Sequence, residues 1–199
     1  MNSNYHHGNL KSSLIEAGLK IINESGEDSL SLRKVASFCD VSHSAPYAHF
    51  KNKDELISAI KKMITEKFTF ELNESIKNLK EENIEEAIKE MGKRYILFFY
   101  NNPDYYYFLF RRDSIEINLN MDKNMENEYL PFKILKDLLK KYFIQNNIDL
   151  EENEKELKLL NLWAIVQGYS SIACMNKVNI KQNWEEIVEK IFEDNNCNI

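Results

Sequence analysis

The sequence predicts an all-α protein, and three observations carry that reading. Glycine and proline are scarce, at 5 and 3 of 199 residues, which leaves few turn-formers for a many-stranded β fold. Apolar residues recur at helical rather than alternating spacing over most of the chain. Asparagine or aspartate with glutamate three residues later stands before several of those runs (Asn52 with Glu55, Asn83 with Glu86, Asp149 with Glu152), the pattern of a helix start. About nine helices follow from these signals, and no convincing strand or repeat.

Met1 to Gly8 reads as a polar leader containing His6 and His7. The first helix covers 9–25, with Leu10, Leu14, Ala17, Gly18 and Ile21 on one stripe and Gly26 to end it. Ser31 can cap a second, short helix through Val35 and Ala36, because its hydroxyl can accept a free first-turn N–H. Cys39, Asp40 and Val41 form a turn. Ser42 is then placed to cap a third helix through Tyr47 to Phe50. Val35, Cys39, Val41 and Pro46 fit a buried seam, and Ala36 falls where the two backbones come closest. This is the layout of a helix-turn-helix, whose second helix enters a DNA major groove.

The next helix starts near Asn52 and runs to about Leu79, with Leu56, Ile60, Met63, Phe68, Leu72 and Ile76 in register. Further helices are expected over 83–101, over 103–110 with Pro103 as its first residue, over 128–146 with Pro131 in the first turn, over 150–175 and over 180–194. The polar stretch 111–127 reads as a loop with some helix at its ends. The division is a helix-turn-helix head, residues 1–52 with the motif at 31–50, and a helical body, residues 53–199. The long helix joins them.

The run VSHSAPYAHFKNKDEL (Val41 to Leu56), preceded by LRKVA (Leu32 to Ala36), resembles the TetR family of bacterial transcriptional regulators. Val35, Ala36, Val41, Ser42, Tyr47, His49, Phe50, Lys53 and Leu56 carry the match, which is dense from about Asn9 to Lys62. Two residues depart from the family pattern. Asp40 stands where the family usually has glycine, at a turn position that favours a left-handed backbone. Pro46 crowds the Ser42 carbonyl in the first turn of the recognition helix. An S-x-x-P-Y-x-H-F form looks like one branch of the family. Leu162 to Ile172, LWAIVQGYSSI, resembles a W-x-x-x-H-G segment of one C-terminal domain type, with Gln167 in place of the histidine.

The motif nominates Ser42, His43 and Ser44 for base edges, since hydroxyls and imidazole can donate or accept there. Tyr47, His49, Lys53 and Arg33 are nominated for phosphates. In the body, Tyr95, Phe99, Tyr106, Phe110, Trp163 and Gln167 are nominated to line a ligand pocket, because clustered tyrosines need polar partners when buried. Ala164, Gly168, Ser171 and Met175 form a mostly small-residue seam. With Trp184, Ile187 and Ile191 of the last helix they are nominated for a four-helix dimer interface, as TetR-like regulators build.

Charge supports one small DNA-facing surface. The chain carries a formal −6, but residues 1–62 hold 8 Lys/Arg against 7 Asp/Glu, so the acidity belongs to the body. Cys39, Cys174 and Cys197 are far apart and odd in number, which gives no disulfide framework or zinc ribbon. The polar first residues suggest no secretory leader, and no run is long enough to span a membrane, so the cytoplasm is expected. No Gly-rich phosphate loop, nucleophile elbow or metal-spaced histidine pair is present, so neither catalytic residues nor a metal or cofactor are expected.

The resemblance implies a homodimeric transcriptional repressor on palindromic double-stranded operator DNA, released by a small-molecule effector. The alternative is a helical ligand- or partner-binding protein whose helix-turn-helix no longer reads DNA.

Overall fold

The computed structural model describes residues 10–79, 82–110, 115–123, 125–175 and 177–193. The polar leader with His6 and His7, Asn9, Cys197 and the last residue of the final predicted helix lie outside them. Among the described residues the chain forms eight α-helices and two short 3₁₀ turns, with no strand.

Helix α1 (Leu10–Ser25) buries Leu14, Ala17, Gly18 and Ile21, the stripe read from the sequence. Gly18 lies where α1 crosses the long third helix: a Cβ there would stand 3.1 Å from Ile60 and 3.2 Å from Leu56. A 3₁₀ turn (Glu27–Ser29) follows Gly26, whose φ of 79° breaks the helix. In α2 (Leu32–Phe38) the Ser31 hydroxyl accepts the Lys34 N–H at 3.1 Å, as its position at the cap requires.

The second helix of the motif differs from expectation. It is a single 3₁₀ turn, Ala45–Ala48, not an α-helix from Ser42. Pro46 is the cause. An α-helix would need an N–H at residue 46 to reach the Ser42 carbonyl, and proline has none. That carbonyl instead accepts the Ala45 N–H at 2.9 Å, an i to i+3 bond that tightens the turn. Ser44, not Ser42, is the capping residue, and its side chain makes no cap bond.

Helix α3 (Lys53–Ile76) stacks Leu56, Ile60, Ile64, Phe68 and Leu72 along one buried line. Asn52 accepts the Glu55 N–H at 2.9 Å, while the Glu55 carboxylate accepts the Lys51 N–H at 2.6 Å. Helix α4 (Ile84–Asn101) sits at the centre of the body against α3, α5, α6, α7 and α8. The expected Asn83–Glu86 box does not close, since Asn83 makes no side-chain cap bond. Helix α5 (Pro103–Phe110) is short and aromatic. Helix α6 (Leu130–Gln145) starts two residues later than expected, with Pro131 in its first turn. Helix α7 (Glu152–Ala173) is capped by Glu151 and Glu154 rather than by Asp149 and Glu152. Helix α8 is Trp184–Glu193, its start fixed by Asn183, which accepts the Glu186 N–H at 2.8 Å.

The core is continuous from head to body. At the far end, α8 closes on α4. The Phe192 ring occupies the space above Gly92, where a Cβ would meet it at 2.5 Å. Lys93 bridges Glu90 and Glu189 at 2.7 Å each, fixing the same register.

Candidate functional site

The turn between α2 and the recognition segment is closed by backbone alone. The Val41 N–H reaches the Ala36 carbonyl at 3.0 Å and the Asp40 N–H reaches Ser37 at 3.3 Å. This pair is a Schellman closure, and it puts Asp40 at φ 54°. Ala36 is fully buried beneath it. Pro46 and Phe50 point into the head and pin the 3₁₀ turn from below. The Phe50 N–H bonds the Pro46 carbonyl at 2.9 Å, so the two anchors are tied together.

With residues 46 and 50 inward, residues 43, 44, 47 and 48 are presented outward. Tyr47 is 54% exposed, a large aromatic held on the surface with no packing reason of its own. Ser42, His43 and Ser44 are exposed beside it. The two serine hydroxyls lie 3.1 Å apart, and His43 Nε2 lies 3.2 Å from the Ser37 hydroxyl, which holds the ring at the rim of α2. Arg33 is exposed on α2. His49 is half-buried, its ring tilted against Phe50 at 6.4 Å. Lys53 differs from the rest. Its ammonium donates to the Glu27 carbonyl at 2.9 Å, so it fastens the first 3₁₀ turn to the start of α3.

The aromatic residues nominated in the body are packed together. Phe99, Tyr106 and Phe110 form a triangle with centroids 4.9 to 5.5 Å apart, and Tyr95 lies 5.3 Å from Phe99. This is filled core. Trp163 packs edge-on against Phe132 at 5.4 Å. Polar atoms are nonetheless stranded here: the Tyr95 hydroxyl, Trp163 Nε1, Gln167 Oε1 and the Ser170 hydroxyl are buried without a well-formed hydrogen bond. Burial, reinforced by the nearby Tyr129, pushes the Tyr95 phenol well above its ordinary range, against a smaller opposing effect of Trp163. Burial pushes the Tyr129 phenol up as well. Both therefore stay neutral and can donate.

The open space lies elsewhere. A cleft of about 690 Å³ runs between α3 and the segment before α6, lined by residues that include Thr65, Ile115, Glu128, Tyr129 and Leu130. None of the six nominated pocket residues lines it. Sequence reasoning missed Glu128, Tyr129 and Lys136, and one signal was available. Lys136 sits on the inner face of α6 with Phe132, Leu135, Leu139 and Phe143, and a lysine on a core face requires buried acceptors.

The nominated dimer residues divide. Ala164 and Gly168 face outward on α7, Met175 is exposed two residues beyond its end, and a Cβ at Gly168 would meet nothing within 4 Å. Ser171 is half-buried. Leu157, Leu160 and Ile172, exposed by 56%, 39% and 41%, extend the same outer face and were not nominated. Trp184 and Ile191 correct the expectation. Both are buried within the protomer, Trp184 against Tyr100 at 6.0 Å, because α8 turns its apolar face to α4. Ile187 is half-buried between these two situations.

Residues 14–60 match the profile of the bacterial regulatory proteins of the tetR family, so that similarity lies in the head. Over 65 residues the chain is 43% identical to the class G tetracycline repressor protein of Vibrio anguillarum. That alignment covers 32% of this chain and 31% of the relative, so the chain spans about a third of that protein's length. A Rhodococcus sp. RHA1 protein of unknown function superposes with a TM-score of 0.71 at 18% identity, over 96% of each chain. The TetR family transcriptional regulator PfmR of Thermus thermophilus superposes at 0.62 and 13%, over 90% of this chain and 94% of that one. These superpositions establish the all-helical fold over nearly the whole chain.

Proposed function

We propose that the protein is a sequence-specific DNA-binding transcriptional regulator, working as a homodimer on a palindromic operator and released from it by a small molecule. One observation carries the DNA-binding part: a TetR-type head that holds Tyr47 outward, with His43 and Ser44 beside it, on a turn anchored from below by Pro46 and Phe50. The serines and His43 read base edges; Tyr47, Arg33 and His49 hold the backbone. Few of these groups are charged, so one head binds weakly and two copies are needed. The outer face of α7, from Leu157 through Ala164 and Gly168 to Ile172, supports the pairing, since small residues allow close helix approach. Repression, the cytoplasm as its compartment, the proline-bearing recognition branch and the lack of catalysis belong to the same reading.

Release follows from α3. Its first residue is fastened to the head through Lys53 and Glu27, and its middle borders the 690 Å³ cleft. A ligand in the body that moves α3 changes the spacing of the two heads. A few kcal/mol of differential affinity between the two spacings suffices.

The test is a gel-shift titration on the DNA upstream of the gene. Tyr47→Ala should weaken binding about tenfold with unchanged helical content, the loss of one phosphate or groove contact. Unchanged affinity removes the recognition assignment. Engagement of Lys53 with a carbonyl favours the second reading, a head that no longer reads DNA. A salt series separates the two, because affinity for DNA must fall steeply as salt rises.

A further inference from the structure

Ser37 stands between two groups and has one proton to give. Its hydroxyl donates to the Arg33 carbonyl at 3.1 Å, the bond of a helical serine to the preceding turn. The same oxygen lies 3.2 Å from His43 Nε2. A carbonyl only accepts, so the single hydroxyl proton belongs to Arg33. Toward His43 the oxygen then only accepts, and Nε2 must bring the proton. The opposite assignment, with the hydroxyl donating to Nε2, would leave the serine and Arg33 oxygens lone pair to lone pair at 3.1 Å. One arrangement satisfies both contacts, and it fixes the neutral imidazole with Nε2 protonated and Nδ1 bare. His43 is exposed, and Nδ1 has no hydrogen-bond partner among the described residues. The serine itself is held by the frame. It is the last residue but one of α2, and its carbonyl accepts the Asp40 N–H at 3.3 Å in the closure of the turn.

We infer that Ser37 is a positioning residue for base reading: it holds neutral His43 in the Nε2–H form, so that Nδ1 is an acceptor that selects an exocyclic amine, adenine N6 or cytosine N4, in the major groove. The inference rests on the DNA-reading role proposed above and adds which base chemistry the ring takes. Adenine and cytosine present those amines as donors, whereas guanine N7 and O6 and thymine O4 are acceptors. A bare Nδ1 against guanine or thymine sets acceptor against acceptor. The other tautomer would reverse the choice, and a ring free to exchange its proton would read both classes. The serine removes that freedom.

The test uses the full-length protein at pH 8.5, where imidazole is neutral. Long-range proton–nitrogen correlation spectra report each ring nitrogen as protonated or bare, and His43→Ala identifies the His43 signals among the four histidines. The parent should show Nε2 protonated and Nδ1 bare. Ser37→Ala, at an exposed helical position, should keep the fold and move both nitrogens toward the averaged values of a free imidazole. Ser37→Thr keeps the hydroxyl and should restore the parent pattern. A half-site duplex selected by the protein from a randomised library is then altered one atom group at a time. Deleting the amine, with purine for adenine or 2-pyrimidinone for cytosine, should cost about fivefold in affinity at one position in the parent and nothing there in His43→Ala. Ser37→Ala should reduce that cost to about twofold or less, and Ser37→Thr should return it. Four results overturn the inference: Nδ1 protonated in the parent, parent nitrogens already averaged, a Ser37→Ala variant unchanged in spectrum and in amine dependence, or dependence of His43 on purine N7, read with 7-deazapurines, instead of on an amine. Sequence selection without any dependence on His43 leaves the DNA reading standing and removes this inference. The expected tautomer with no sequence selected from the library does the reverse, keeping the Ser37–His43 assignment and removing the DNA reading with its base preference.

Discussion

The head and the body handle buried polarity in opposite ways. Eight buried side-chain polar atoms among the described residues lack a hydrogen bond, and all of them lie at Thr65 or beyond. The described residues of the head include none. Ser31 closes locally on Lys34 and Asn52 on Glu55, while the Asn23 amide donates across to the Asp104 carbonyl at 3.1 Å. The difference teaches where each part does its work. A module whose interior is satisfied has its surface left for function, as proposed for Tyr47 and His43. A body with stranded hydroxyls, an indole N–H and a carboxylate oxygen has its chemistry turned inward.

The hardest test of that contrast is Lys136→Ala. It leaves Glu128 buried and unpaired and frees the carbonyls of Asn118 and Lys123, so about 3–5 kcal/mol of stability should be lost. Urea denaturation measures it. A loss below about 1 kcal/mol would mean that Glu128 reaches water or protonates at little cost, and the body would then be no more strained than the head.

Gly92→Ala probes the far end of the body. The new Cβ would lie 2.5 Å from the Phe192 ring, which is itself buried, so α8 must lift against the Lys93–Glu189 bridge. Overpacking of about 1–3 kcal/mol outweighs the gain of about 1 kcal/mol from helix propensity. The melting temperature should fall, with DNA contacts by a single head untouched. A rise would show that Phe192 swings aside freely.

Asn52→Ala addresses the joint between the parts. Losing the acceptor for the Glu55 N–H should cost about 1 kcal/mol, seen as a lower urea midpoint. No change would mean that water caps α3 as well as Asn52 does.

The two parts were also unequally legible. Local rules governed the head: a cap at Ser31, a left-handed residue at Asp40, a buried Pro46, each decided within a few residues. The one local error was the recognition helix, where proline was expected to crowd a carbonyl but its missing N–H instead converted the segment to a 3₁₀ turn. In the body, helix existence followed from periodicity, while the faces did not. Trp184 and Ile191 sit at the spacing of an interface, and only tertiary packing shows that α4 takes them. The aromatic run from Tyr95 to Phe110 fills the core it was expected to hollow out. Glu128 and Tyr129 lay at the edge of a stretch with no periodicity, and Lys136, the partner of Glu128, is eight residues further on.

Asp40→Gly is the smallest expected effect and the sharpest on the head. Asp40 holds φ 54° in the Schellman turn, a conformation glycine adopts without the Cβ penalty. Glycine also has more freedom to lose on folding, so the two effects partly cancel. The penalty avoided is about 1 kcal/mol or more for an L-residue, and less for aspartate, which tolerates this region. A net gain of about 0.5 kcal/mol is expected in urea denaturation. On the proposed reading operator affinity should rise too, because an exposed negative charge leaves the motif proposed to face phosphate. Asp40→Asn separates these causes. It keeps the left-handed tolerance and removes the charge, so it should raise affinity while leaving stability nearly unchanged. Equal affinity in both variants and the parent would place Asp40 outside the DNA field, and the docking of the whole recognition turn would need to be redrawn.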